Sequence, residues 1–149
     1  MGQKMLFGKR KQVVKRILIV EDEPFTAFSN ENILKDASYR IVATINRLDE
    51  ALDLIGREAI DLVLSDIRLQ GRELGISLAR AAKKHEIPTL FVTGHPHPVA
   101  AEIAVGCLAK PYSERQLIKA IRCVDAHLQG VKVKPPRGLE LFVAASEQS

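Results

Sequence analysis

A doubly wound α/β sandwich, built on a five-stranded parallel sheet, is the fold class this sequence predicts. Two observations carry it. Apolar runs of strand length alternate along the chain with segments of helical period, the pattern of right-handed strand–helix–strand crossovers. Runs such as ILIV and LFV also lack polar alternation, as strands covered by helices on both faces should.

Arg16–Val20 is the first aliphatic run, and a helix follows over Phe25–Asp36. Arg40–Ile45 (RIVATI) has strand composition, and Leu48–Arg57 places apolar residues at 48, 51, 52, 54 and 55. Asp61–Ser65 is a third strand, and Leu74–Lys84 a helix with its apolar face at 74, 78, 81 and 82. Pro88–Thr93 and Ile103–Leu108 read as the fourth and fifth strands. The nine residues between them include GHPHP, and proline removes a backbone donor and disfavours helix just before it. A helix there can begin only near Pro98 and run little more than a turn, so this connection should be short and mobile. Ser113 caps the last helix, with Glu114 in its first turn and Leu117, Ile121, Val124 and Leu128 on its apolar face.

At 149 residues with 46% apolar and 27% charged residues, the chain is an ordinary globular domain rather than a disordered one. It has no apolar run of membrane-spanning length and no secretory signal, so the cytoplasm is the expected location. Cys107 and Cys123 form no metal-binding spacing and are expected to be reduced and structural. Charge is uneven. The chain as a whole is at +4, residues 1–16 at +6 and residues 130–149 at +1, which leaves −3 on the 113 residues between. The chain divides into a basic arm (1–15), a domain (16–129) and a tail (130–149) whose LELFVAA piece should dock somewhere. A basic arm can touch nucleic acid or anionic lipid. Without accompanying aromatics beyond Phe7 or a DNA-reading motif, a flexible solvated arm is the better reading.

Ligands of an open parallel sheet bind beyond the carboxyl ends of its strands. Those ends are Glu21 and Asp22, Asp66, Thr93, and Lys110 before Pro111. ILIVEDEP thus drives three consecutive acids onto one rim, where repulsion is costly unless a cation sits among them. Each piece has a bland reading: first-turn acids for the helix dipole, a turn after Thr-Gly, an uninformative Lys-Pro. Their joint occurrence at successive strand ends points to Mg²⁺-assisted phosphoryl transfer onto a carboxylate, with Asp66 as nucleophile.

On ILIVEDEP, LVLSDIRL, LFVTG and LAKPY the chain resembles, from Arg16 to about Gln129, the CheY-like receiver domain of two-component response regulators. That resemblance implies the flavodoxin-like strand order 2-1-3-4-5. It implies a Mg²⁺ site made by Glu21, Asp22, Asp66 and the main-chain carbonyl of Arg68, with Asp22 the more direct ligand of the acidic pair. Asp66 would be phosphorylated, Thr93 would bond a phosphoryl oxygen, and Lys110 would pair with it. Three features depart from the common pattern: Cys107 stands where a switch aromatic is usual, Gln70 where a proline is usual, and the fourth helix is nearly absent. With Phe91, Thr93 and Gly94 they resemble the FAT GUY subgroup of stand-alone receivers typical of alphaproteobacteria, although Val92, His95 and Pro96 break its motif. The implied partner is a histidine kinase of the HWE or a related type, or a phosphotransfer protein, and the implied state a monomer or weak dimer. The implied role is signalling by protein contacts, in a protein that catalyses only its own phosphorylation and dephosphorylation.

A phosphate sink or shuttle is the alternative. A haloacid-dehalogenase-type phosphatase is set aside because it wants an acid where Arg68 stands. His95 and His97 are spaced for metal but lack a third ligand, so a solvated loop is expected. Arg68 and Gln70 are placed to touch an attacking water. Cys123, off the face of the last helix, is expected to be semi-exposed.

Overall fold

The computed structural model describes residues 11–143. Strands β1 (Arg16–Val20), β2 (Arg40–Ile45), β3 (Leu62–Asp66), β4 (Thr89–Thr93), β5 (Gly106–Ala109) and β6 (Leu139–Leu141) form one sheet in the order β2-β1-β3-β4-β5-β6. The first five are parallel; β6 runs antiparallel to β5. Helices α1 (Pro24–Asp36), α2 (Leu48–Arg57), α3 (Leu74–Lys84), α4 (Ala100–Ile103) and α5 (Glu114–Leu128) connect them.

Strand geometry sends successive side chains to opposite faces, and β1 shows the consequence. Ile17 and Ile19 meet Leu34 of α1 and Leu117, Ile121 and Val124 of α5. Leu18 and Val20 meet Ala51 and Ile55 of α2 and Leu78 and Ala82 of α3. A third cluster joins Phe91 of β4 to Ala79 of α3 and to Ala100 and Ile103 of α4.

The expected five-stranded sheet is therefore six-stranded, and Leu139–Leu141, the start of LELFVAA, supply the addition. Boundaries moved where local chemistry dictated. Asp61 lies outside β3 because its Oδ2 accepts the amides of Lys15 (3.0 Å) and Arg16 (2.8 Å). Pro88 has no N–H to give to a ladder, although its carbonyl accepts from Val63 N at 2.9 Å. Ile103 is buried in α4 rather than leading β5. The crossover helix is one turn of four residues, as the proline spacing requires.

On α5 the buried stripe is wider than expected and shifted. Cys123 is only 8% exposed while Leu128 is 40% exposed. The cause is the segment ahead of β1: Asp125 Oδ2 accepts from Val13 N (3.0 Å) and Val14 N (2.7 Å), which buries Val14 against this flank of the helix. Residues 13–15 are thus pinned through their main-chain amides, with Val13 and Lys15 still exposed, and residues 1–10 of the basic arm lie outside the described residues.

Ser113 closes a reciprocal capping box: its Oγ accepts from Gln116 N (3.1 Å) and its own N donates to Gln116 Oε1 (2.8 Å). Ser113→Ala should cost about 1 kcal/mol of stability, read as a lower urea midpoint at unchanged slope.

Candidate functional site

The site sits where β1, β3, β4 and β5 end. Register brings it together: Val20 pairs with Ser65, Asp66 with Val92, and Thr93 with Ala109, so the residues that follow share one rim. Lys110 is held there by its own N–H, which donates to Thr93 O at 2.8 Å.

Lys110 Nζ donates to Asp66 Oδ2 at 2.7 Å and to Glu21 Oε1 at 3.1 Å. One ammonium therefore bridges two carboxylates. Glu21 is 3% exposed, and its Oε2 accepts from Glu23 N at 3.1 Å. Burial pushes its carboxyl above the ordinary value, against the pull of the Glu23 amide and of Lys110. Burial works to lower the Lys110 ammonium, but hydrogen bonding to Asp66 and the charge of Glu21 outweigh it and raise it. The Asp66 side chain is 14% exposed, reachable by a donor, and its Oδ1 accepts from Arg68 N at 3.2 Å.

Asp22 does not join this cluster through Lys110. Its Oδ2 accepts from Gln70 N at 2.8 Å, clamping the turn after β3. That turn needs Gln70 and Gly71 at φ of 55° and 73°, the left-handed region that proline cannot enter. The resemblance placed Gln70 at a usual proline position; here the residue contributes its main chain. Arg68 sends its guanidinium to Gly71 O at 2.7 Å, within its own turn.

Thr93 is buried at the rim, but its hydroxyl bonds to neither Asp66 nor Lys110. Its Oγ1 donates to His95 O (3.0 Å) and accepts from His95 N (3.1 Å), so the hydroxyl is engaged by its own loop. His97 departs from the expected solvated loop. Its Nδ1 accepts from Val99 N at 3.2 Å and its Nε2 lies 3.3 Å from Glu73 Oε1, which ties this loop to the end of the β3–α3 turn. Only the tautomer with the proton on Nε2 serves both contacts. Neither cysteine is in a disulfide, and burial foremost pushes the Cys107 thiol up to about 11, which keeps it protonated and unreactive. Residue patterns gave no signal for the Tyr112–Asn30 hydrogen bond (3.0 Å), a link between distant segments.

Among the described residues, no three His, Cys, Asp or Glu side chains are gathered in ready metal-holding geometry. The donor set nevertheless suits a hard cation. Glu21, Asp22 and Asp66 offer carboxylate oxygens at neighbouring strand ends, and a single ammonium leaves their charge only partly balanced. Glu21→Gln should raise stability by about 0.5–2 kcal/mol at pH 8, because it removes a carboxylate whose burial is penalised. A raised folded-state value means the penalty is absent below the ordinary 4.5 and grows as pH climbs through the folded value. The gain should therefore vanish below pH 4.5 in urea titrations at a series of pH values.

Fold and rim together define a phosphoacceptor domain of two-component signalling. The family model of the response regulator receiver domain matches residues 17–122, and the chain belongs to that family. It is similar to a response regulator receiver protein from Sinorhizobium medicae WSM419, with 28% identity over 74% of this chain and 94% of the other, at a TM-score of 0.65. A CheY-like receiver domain protein from Methanospirillum hungatei JF-1 is also 28% identical, over 78% of this chain and 98% of that one, with a TM-score of 0.69. The receiver domain of the sensor histidine kinase PA1611 from Pseudomonas aeruginosa PAO1 is 25% identical over 73% and 95%, at 0.62, and has a magnesium ion coordinated in its active site cleft. Among the described residues no helix is long and apolar enough to cross a membrane.

Proposed function

We propose that Asp66 accepts a phosphoryl group from a phosphohistidine of a histidine kinase or phosphotransfer protein. One carboxylate oxygen attacks phosphorus in line. The new O–P bond makes an acyl phosphate, and the P–N bond to the donor imidazole breaks with its electron pair returning to nitrogen. The observation that carries this reading is the single ammonium of Lys110 spanning Glu21 and the reachable Asp66. Lys110 holds Asp66 in place beforehand and is within reach to stabilise charge on the transferred group. Glu21, Asp22, Asp66 and the carbonyl of Arg68 would hold Mg²⁺, which when bound neutralises charge on the phosphoryl oxygens. The magnesium ion in the receiver of PA1611 supports this assignment.

We read the protein as a receiver that signals through protein contacts and catalyses only reactions of its own aspartyl phosphate. The one-turn α4 and the small Cys107 at the usual aromatic position support the FAT GUY subgroup, and with it a kinase of the HWE or a related type. Phe25 and Phe28, 79% and 67% exposed on the first turns of α1, offer the phosphodonor an apolar contact beside the acids.

Intact mass after incubation with acetyl phosphate and Mg²⁺ tests this. One phosphoryl group should be gained, and none with a chelator or in Asp66→Asn. A gain that survives in Asp66→Asn would overturn the assignment.

A further inference from the structure

The edge of β5 carries a strand from the chain's own tail. Gly106, Cys107 and Leu108 pair with Leu141, Glu140 and Leu139. Ala109 N donates to Gly138 O and Phe142 N to Val105 O, both at 2.9 Å, extending the pairing at each end. The fit is specific. A Cβ at position 106 would lie 2.7 Å from Glu140 O, so glycine is what lets the strand approach. Gln116 Nε2 donates to Arg137 O, and His127 Nε2 lies 2.9 Å from Phe142 O.

The two faces of β6 serve different parts of the molecule. Leu139 and Leu141 pack into the core with Leu108, Leu117 and Ala120, on the α5 side. Phe142 packs on the opposite side, against the cluster of Phe91, Ala100 and Ile103, together with Val99, Ala104 and Cys107. Four of those residues belong to the stretch from 94 to 104, which begins at the loop holding the Thr93 hydroxyl. Phe142 is thus seated on the segment that lies next to the phosphoacceptor rim. The strand is only three residues long, and residues 130–138 before it contain no helix or strand. An element with so few bonds opens at a small fraction of the global unfolding free energy.

We propose that the β5 edge is a strand-docking surface for an extended segment with leucines two apart followed by an aromatic, and that residues 139–142 are its resident occupant. Occupancy is coupled through the Phe142 seat to residues 94–104. A phosphoryl group on Asp66 adds acceptor oxygens that compete with His95 O for the Thr93 hydroxyl, which frees the loop. The one-turn α4 then shifts beneath Phe142, β6 leaves, and an unpaired β5 edge is opened to a partner's antiparallel strand. The trigger rests on the phosphoacceptor reading; the docking and the coupling do not.

Backbone hydrogen exchange on the full chain tests both parts. In protein shown by mass to be fully phosphorylated, the Phe142 and Ala109 amides should exchange at least about fivefold faster, the lower end of ordinary coupling, while β1 and β3 amides do not change. Unchanged protection there overturns release. Coupling is reciprocal, so unphosphorylated Phe142→Ala should expose the Glu102 and Ala104 amides, now bonded to Val99 O and Ala100 O, by a similar factor. Wild-type protection of those two amides overturns the coupling. Failure of Asp66 to take up the phosphoryl group overturns the phosphoacceptor reading and the trigger, and the Phe142→Ala result then decides the rest.

Discussion

A methyl group at position 75 should cost the protein about 2–3 kcal/mol. Gly75 opens the first turn of α3, and its N–H donates to Ile67 O at 2.8 Å, so helix and strand end are in backbone contact. A Cβ there would lie 2.2 Å from Asp66 O and 2.7 Å from Ile67 Cα. Backbone cannot rotate out of the way as a side chain can, so the overpacking cost lies just above its usual range, at about 3–4 kcal/mol. Alanine recovers about 1 kcal/mol of helix propensity, which does not offset it. The thermal midpoint of Gly75→Ala should fall by roughly 6–10 °C. Gly56→Ala in α2 is the control: among the described residues, no atom beyond its chain neighbours and its own helix backbone lies within 4 Å of its Cβ position, and it should be neutral or stabilising by about 0.5–1 kcal/mol. Equal effects at the two positions would sink the close-contact argument. Since the displaced atom is the carbonyl of Asp66 itself, Gly75→Ala should also slow phosphorylation under conditions where it remains folded.

Lys110→Ala should reduce the initial rate of phosphorylation by about 10²–10³-fold at saturating Mg²⁺, followed by intact mass with acetyl phosphate. Among the described residues, the Lys110 ammonium is the side-chain cation bonded to Asp66, placed beside the oxygen that takes up the phosphoryl group. A rate within threefold of wild type would remove Lys110 from the chemistry. Stability should fall as well, by about 1–3 kcal/mol at pH 8, because Glu21 stays buried with its ammonium partner gone. The pH dependence has a definite sign. The Lys110 contribution is complete far below its raised value and so is lost in the variant across the whole neutral range. Glu21 can neutralise itself by taking up a proton, and burial already favours that form. The deficit should therefore shrink as pH falls from 8 toward 4.5.

Much of this molecule is local in its causes. The order of elements follows from aliphatic runs between segments of helical period, and α2 and α3 begin and end where the pattern of apolar residues does. The short α4 follows from two prolines. The rim residues are legible because parallel strands must deliver whatever follows them to one edge, and Glu21, Asp66 and Lys110 meet there at bonding distance.

Other features depend on segments that are far apart in the chain, and residue patterns cannot carry them. Cys123 is buried because Asp125, two residues on, captures the amides of Val13 and Val14 more than a hundred positions away. The Thr93 hydroxyl is taken up by the main chain of His95 in its own loop rather than by a partner on the rim. Asp22 is drawn to the Gln70 amide by a turn that φ values, not composition, define. The tail becomes a sixth strand because Gly106 leaves room for a backbone to approach and α5 offers a seat for Leu139. By itself, then, the sequence determined the fold class and the identities of the residues at the strand ends, since both rest on periodicity and on neighbours in the chain. Only the tertiary structure decided which of those side chains are bonded to one another and what covers the β5 edge, since these are settled by competition among hydrogen-bond partners that the fold brings within 3 Å of each other.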